Sequence, residues 1–154
     1  MNRLQLLTRI EEPWNALKAA YGGLSAAEML EPGVIGIWSV KDIIAHVTTW
    51  EEEALAHLAL ILAGGKPPRY SVTHGGINAF NAQMTQRNRD LPLSEVLRRR
   101  DDIHLRLLAF IQGAPEETFA TDTRARRRLR LDTYRHYAIH ARAIRTWREQ
   151  RPEG

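Results

Sequence analysis

Cysteine is absent from this chain of 154 residues. Its absence excludes a disulfide scaffold, a thiolate nucleophile and any metal site built on cysteine. Long apolar runs are missing too, because the longest, residues 54–63, is interrupted by His57 and a bilayer span needs about 20 apolar residues. The N-terminal segment also lacks the apolar centre of a signal peptide. We therefore expect a cytoplasmic protein without a membrane segment.

Several motifs of well-known enzyme classes are also missing. The sequence contains no glycine-rich phosphate loop, no G-x-S-x-G nucleophile elbow and no internal repeat, so the commonest nucleotide-binding and serine-hydrolase sites are excluded. The composition, 44% hydrophobic and 26% charged residues, is typical of a globular protein. The length predicts a single domain spanning residues 1–154.

The chain carries a net charge of +4, with most of the excess in an arginine-rich second half. A basic excess is one property of nucleic-acid-binding proteins. However, the arginine run in residues 124–130 is interleaved with Ala125 and Leu129 rather than with aromatic residues that stack on bases. We interpret the arginines as solvated surface, and we do not expect a nucleic-acid partner.

Apolar residues recur at intervals of three and four, the period of an amphipathic helix. Four long segments and one short segment carry this pattern: residues 2–21, 39–63, 77–88, 93–112 and 132–151. The short segment precedes the third long one, and the connections are short to medium in length. This arrangement predicts an all-α four-helix bundle.

Local signals set the expected ends of the helices. Asn2, Ser39 and Asp132 stand where helix N-caps are favoured. Pro13 predicts a kink or a break in the first helix, because proline lacks the N–H that an interior helical residue donates. We expect a loop over residues 66–75.

A second connection is expected between the third and fourth long helices. Residues 114–130 form this connection and contain the arginine run in their second half.

Two histidines one helical turn apart are the strongest chemical signal. At 100° per residue, His140 lies near the centre of the apolar stripe of the last helix, and His136 lies about 40° away. Buried imidazoles need partners for their ring nitrogens. A shared metal ion would satisfy this pair, and so would hydrogen bonds within the core.

His46 is the histidine best placed to join the pair. It flanks the apolar stripe of the second long helix and can face the last helix in a bundle. Three histidines on one side of a metal ion leave other positions open, as in catalytic sites. His57 lies about 16 Å further along the same helix and cannot reach the same ion. We expect His74 and His104 to be structural or solvated.

Two glutamates of the second long helix complete the set of candidate polar groups. Glu51 falls within the apolar stripe, so a buried salt bridge with an arginine from another helix is expected. Glu53 faces the His46 side but lies about 10 Å away along the axis. We expect it to line a cavity at most.

Three long segments resemble a known family of bundle proteins. WSVKDIIAHVTTWEEEAL (38–55) resembles the second-helix signature of DinB/YfiT-like proteins. NAFNAQMTQRNRDLPLSEVLRRRDDIHLRLLAFI (78–111) and DTYRHYAIHARAIRTW (132–147) resemble the ClbS/DfsB-like branch of that superfamily. The resemblance implies an up-down-down-up order of helices and a divalent metal, most often zinc or nickel, on a histidine triad. The triad falls on His46, His136 and His140.

The resemblance also implies a range of functions. Relatives include thiol-dependent transferases, metal-dependent hydrolases and a resistance protein against a genotoxin. Our leading hypothesis is a metal-dependent enzyme that hydrolyses or ring-opens a small electrophile, or transfers a thiol to it. The alternative is a non-catalytic protein that binds and sequesters a small toxic molecule. Trp50, Tyr137, Asn78 and Asn81 are the residues we expect to line the pocket, and we expect a homodimer.

Overall fold

The computed structural model describes residues 1–152. Within them the chain forms helices joined by loops and turns: α1 Arg3–Tyr21, α2 Ala26–Met29, α3 Val40–Leu62, α4 Tyr70–Thr73, α5 Ile77–Asn88, α6 Leu93–Gly113, α7 Glu117–Ala120, α8 Arg124–Asp132 and α9 Tyr134–Gln150. The four long helices are α1, α3, α6 and α9. They confirm the predicted all-α bundle, whereas the up-down-down-up order stays a prediction.

Two of the predicted caps start long helices. The Asn2 side chain accepts a hydrogen bond from the Gln5 N–H at 2.8 Å, which begins α1. Ser39 accepts from the Asp42 N–H at 3.1 Å, and Asp42 accepts from the Ser39 N–H at 2.9 Å. Such reciprocal pairs satisfy backbone donors that a helix leaves free at its start. The cap at Ser39 fixes the beginning of α3, the helix that carries His46.

The core lies between the apolar faces of the long helices. α1 packs mainly against α9, while α3 packs against α6 and α8. The largest fully buried aliphatic side chains come from all of these helices: Leu6, Ile10, Ile43, Leu58, Leu107, Ile111, Leu129 and Ile144. Burial of such side chains is the main favourable contribution to folding. The shared core fixes the positions of α3 and α9 relative to each other.

The first helix is not broken at Pro13, contrary to one of the two predicted outcomes. α1 runs without interruption from Arg3 to Tyr21 with Pro13 inside it. Ile10 and Trp14, on either side of the proline, are both buried. Packing of the helix face therefore outweighs the backbone hydrogen bond that the proline cannot donate.

The connection over residues 114–130 contains two helices that we did not predict, α7 and α8. α8 begins behind Thr123, whose hydroxyl accepts from the Arg126 N–H at 3.1 Å. Ala125 and Leu129, one turn apart, are buried, and α8 packs against α3 and α9. Two apolar residues at the helical spacing are enough to stabilise this helix because the neighbouring helices cover them.

Asp132 does not cap the last helix as predicted. It is the final residue of α8, and Thr133 stands at the start of α9. The Asp132 carboxylate is buried and accepts a hydrogen bond from Arg128 Nε at 2.6 Å. The predicted loop over residues 66–75 also contains one helical turn, α4.

Elements other than helices are few in the part of the chain that the structure describes. One isolated antiparallel bridge joins Ile35 and Trp38, and no strand occurs among residues 1–152. No helix in this range is long and apolar enough to cross a bilayer.

Candidate metal centre

Three histidines from two helices meet at one point. His46 projects from α3, and His136 and His140 project from consecutive turns of α9. The His136 Nε2 atom lies 2.9 Å from His46 Nε2 and 2.9 Å from His140 Nε2. The candidate ligand atoms of the three residues all lie within 4.8 Å of one another. The structure thus brings together the three predicted residues, and their role as metal ligands stays a prediction.

The contacts of His136 are difficult to satisfy with hydrogen bonds alone. An imidazole nitrogen has one in-plane position, which holds either a proton or a lone pair. His136 Nε2 nevertheless has two nitrogen neighbours at 2.9 Å. One position cannot form two well-aligned hydrogen bonds. A cation between the rings would accept a lone pair from each of the three nitrogens.

All three imidazoles are held in the neutral form. Burial, and to a lesser extent the neighbouring His140, lowers the pKa of His46 to about 3. Burial also lowers the pKa of His136 to about 2, with His140 and His46 as additional causes, and that of His140 to about 4. A neutral imidazole offers a lone pair at the nitrogen without its proton, and this is the form that binds metals.

The donor set fits a borderline divalent ion. Three imidazole nitrogens suit zinc, nickel, copper or iron, whereas carboxylate and carbonyl oxygens suit magnesium or calcium. Among residues 1–152, the group of side chains able to share an ion contains histidines only. The Nδ1 atoms of His136 and His140 are buried without a hydrogen-bond partner. These two imidazoles therefore lack the acceptors that usually orient metal-bound histidines.

The space around the three histidines is small. His46 and His136 are half-buried, and His140 is buried. A cavity of about 10 Å³ lies beside His46 and is lined by Asp42, Ala45, Met84, Thr85 and Asn88. That volume holds about one water molecule. The Trp38 ring covers His46 at 4.7 Å between centroids. We did not predict this contact, although Trp38 stands directly before the cap of α3.

The predicted pocket residues lie in different places. The Trp50 indole N–H donates to Asn81 Oδ1 at 3.0 Å, and the Trp50 ring lies 6.4 Å from that of His136. Asn78 lines a separate cleft. Tyr137 is fully buried, with its ring 6.2 Å from His104. A residue without exposed surface cannot line an open pocket, so the prediction for Tyr137 needs this correction.

His57 and His74 lie apart from the three histidines. His57 Nε2 lies 3.4 Å from Glu53 Oε2, and the Tyr70 hydroxyl donates to the same carboxylate oxygen at 3.4 Å. The His74 ring packs 4.9 Å from Phe80. Neither His57 nor His74 lies close enough to His46 to bind the same metal ion.

His104 forms a second buried histidine cluster of different chemistry. Its Nδ1 lies 3.1 Å from Glu51 Oε2, and its Nε2 contacts Glu11. The ring also stacks on Trp14, with centroids 3.7 Å apart. Glu51 is buried as predicted, but its partner is a histidine rather than the arginine we expected. His104 is structural, as one of our two alternatives proposed, and it is not solvated.

Burial and charge oppose each other in this second cluster. Burial alone would lower the pKa of His104, but the hydrogen bonds and charges of Glu51 and Glu11 raise it above its ordinary value. Burial raises the pKa of Glu51, and His104 offsets part of that rise. Both ring nitrogens of His104 face carboxylates, so the imidazolium form has a partner for each N–H.

Comparison with known proteins identifies the family. The sequence profile of the DinB superfamily matches residues 9–143. The chain belongs to this superfamily. Comparison with curated protein sequences gives no significant match.

Solved structures agree with this assignment. The colibactin self-resistance protein ClbS, crystallised with double-stranded DNA, has a TM-score of 0.83 at 15% identity, covering 98% of each chain. The sibling lethal factor precursor DfsB has a TM-score of 0.81 at 15% identity, over 100% of this chain and 99% of its own. An uncharacterised Escherichia coli UTI89 protein has a TM-score of 0.79 at 14% identity, over 96% and 93%. These matches confirm the predicted ClbS/DfsB-like fold.

Proposed function

We propose that His46, His136 and His140 hold a divalent ion, zinc or nickel, and that this DinB-superfamily protein is a metal-dependent enzyme acting on a small electrophile. The supporting observation is the position of His136 Nε2, 2.9 Å from two other imidazole nitrogens. Three lone pairs that point at one place are suited to a cation and poorly suited to one another. The lowered pKa of each ring keeps these lone pairs free near neutral pH.

The proposed reaction follows from the donor set. A divalent ion held by three neutral imidazoles supplies Lewis acidity and makes a water or a thiol nucleophilic near neutral pH. With water, the product is a hydrolysed or ring-opened electrophile, and with a thiol it is a thioether. The protein contributes three ligands from one side. His46 and His136 are only half-buried, so the cluster is not closed off from solvent.

Trp50 and Asn81 have a supporting role in this proposal. The hydrogen bond from the Trp50 indole to Asn81 fixes the ring between His136 and Tyr70. A fixed aromatic ring excludes water from one flank of the histidines and offers an apolar wall to a substrate. Asn81 thus acts through Trp50.

The experiment uses protein purified without a histidine tag. Its metal content is measured, and the consumption of an epoxide, an activated ester and an alkyl halide with added thiol is followed before and after chelation. We expect turnover of at least one substrate to stop on chelation and to return with zinc or nickel. His136→Ala should abolish turnover, and His57→Ala is the matched control. Equal turnover in metal-free protein would contradict the proposal.

Sequestration without catalysis is the alternative from a different class. It predicts that metal-free protein binds one small molecule per chain and never converts it. The cavity beside the histidines, about 10 Å³, favours neither sequestration nor catalysis, since it is too small for an organic ligand and for an organic substrate alike.

DNA binding is a second candidate, favoured by one observation. Arg124, Arg127 and Arg130 are exposed on α8, and ClbS, a protein of the same fold, was crystallised with double-stranded DNA. Phosphate contacts from arginine depend steeply on salt. Retention of a DNA duplex that weakens with salt, and that is lost when the three arginines are replaced by glutamine, would support this candidate.

A further inference from the structure

A cleft beside α8 is lined by none of the three histidines. It has a volume of about 620 Å³ and lies between residues 67–78 and Arg128 of α8. That volume is in the range of small-molecule binding sites. Its lining residues are Pro67, Pro68, Arg69, Tyr70, Ser71, Gly75, Gly76, Ile77, Asn78 and Arg128. None of them belongs to the proposed metal centre.

Aromatic contacts run from the cleft toward the histidines. Tyr70 lines the cleft, and its ring packs 5.3 Å from that of Trp50. The Trp50 ring in turn lies 6.4 Å from that of His136. The cleft and the group of three histidines share no residue.

Arg128 is held rigidly at this cleft. Its Nε donates to Asp132 Oδ2 at 2.6 Å, and its Nη2 donates to the Tyr70 hydroxyl at 2.7 Å. The guanidinium also lies 5.8 Å from the Trp50 ring centre and 5.5 Å from that of Tyr70. Nη1 has no hydrogen-bond partner among residues 1–152. A donor that is already ordered loses little entropy when it binds a ligand.

The remaining polar lining favours an anion. Arg69 is exposed and forms no ion pair among residues 1–152, and no carboxylate lines the cleft. α5 begins here at Ile77, and no side chain caps its start. Asp132, the carboxylate that accepts a hydrogen bond from Arg128, is buried and does not line the cleft.

We propose that this cleft binds a small molecule in which an oxyanion group, a carboxylate or a phosphate, is joined to an apolar body. Arg128 and Arg69 contact the oxyanion, since guanidinium groups match its geometry. Pro67, Pro68 and Ile77 contact the apolar body. The proposal goes beyond the proposed metal chemistry and holds whether or not the histidines bind an ion.

The test uses chelated, ¹⁵N-labelled protein and four probes. Phenyl phosphate and benzoate present the two oxyanions on the same ring, benzamide is their neutral counterpart, and a short DNA duplex represents a macromolecular phosphate. We expect saturable shifts of the Gly75, Gly76 and Asn78 amide signals with at least one of the two anions and none with benzamide. Comparing phenyl phosphate with benzoate then identifies the preferred oxyanion.

Three substitutions measure how much each arginine contributes to binding of the anion. Arg128→Gln should weaken binding of the preferred anion about tenfold, because a charge-assisted hydrogen bond is lost. Arg69→Gln should weaken it about threefold, and its exposed position leaves folding intact. Arg124→Gln, an arginine of α8 outside the cleft, is the control and should change affinity less than about twofold.

Several results would overturn the proposal. Equal shifts with benzamide would show an apolar pocket without anion recognition, and no shift with any small probe would show no site. Shifts with the DNA duplex alone would assign the surface to nucleic acid. If the spectrum of Arg128→Gln shows unfolding, Arg69→Gln decides, and unchanged affinity in Arg69→Gln would then contradict the proposal.

Discussion

The bundle contains two buried clusters in which the pKa values of histidines are shifted in opposite directions. At the candidate metal centre, His46, His136 and His140 face one another, and each has a lowered pKa. In the second cluster, His104 lies between Glu51 and Glu11 and has a raised pKa. Burial lowers the pKa in both places, so burial does not explain the difference. The carboxylates of Glu51 and Glu11 explain why the pKa of His104 is raised.

This difference separates a binding role from a structural role. An imidazole surrounded by other imidazoles keeps a lone pair for a cation. An imidazole between two carboxylates has both N–H groups engaged, and its charge is matched. The first cluster therefore gains from an added ion. The second cluster needs no added ion, because carboxylates of the chain already contact both ring nitrogens of His104.

The largest expected effect concerns the structural cluster. His104→Gln removes the imidazole that pairs with Glu51, a carboxylate with almost no exposed surface. We expect the free energy of unfolding to fall by about 3 kcal/mol, the usual cost of breaking a buried ion pair. Urea denaturation of metal-free protein measures this value. A loss below about 1 kcal/mol would show that His104 is neutral in the folded protein.

Zinc bound at the metal centre should raise the free energy of unfolding by an amount similar to the loss expected for His104→Gln. A ligand that binds only the folded state adds about 2.7 kcal/mol when its concentration is a hundredfold above the dissociation constant. Thermal unfolding with and without zinc measures this shift. We expect the full shift in His57→Ala and none in His140→Ala. An equal shift in His140→Ala would place the bound zinc elsewhere.

Zinc affinity should depend little on pH between 7.5 and 5.5. The pKa values of His46, His136 and His140 are lowered to about 3, 2 and 4, so few protons compete with the ion in this range. We expect less than about a tenfold change. Three histidines with an ordinary pKa near 6.5 would together lose about a thousandfold at pH 5.5. Competition with a chromophoric chelator at each pH distinguishes the two outcomes.

The smallest expected effect comes from His46→Gln, the substitution at the metal centre that matches His104→Gln in the second cluster. His46→Gln in metal-free protein removes no ion pair, because the polar neighbour of His46 Nε2 is another imidazole. Its side chain is also half-buried rather than fully enclosed. We expect a loss under about 1 kcal/mol in the same urea experiment. A loss equal to that of His104→Gln would remove the distinction between the two clusters.

Local features of this fold could be predicted from the sequence. The caps at Asn2 and Ser39 act within three residues, and the period of the apolar residues extends over whole helices. The spacing of His136 and His140 fixes their proximity once α9 forms. His46 joins them because the apolar stripe of α3 sets its orientation.

Features that depend on distant partners could not be predicted. His104 contacts Glu51 and Glu11, which lie 53 and 93 residues away in the chain. Nothing in the local pattern distinguishes that histidine from a solvated one. α8 was missed for a related reason, since its helical stripe consists only of Ala125 and Leu129 and becomes visible when α3 covers it.

The metal content of protein purified without a tag tests the central claim most directly. Elemental analysis after loading with zinc and dialysis into zinc-free buffer should give one equivalent per chain for the wild type and for His57→Ala. Folded His140→Ala should retain none, because two imidazoles alone do not hold the ion through dialysis. A wild type without bound metal, or one equivalent retained by His140→Ala, would contradict the assignment of His46, His136 and His140 as a metal centre.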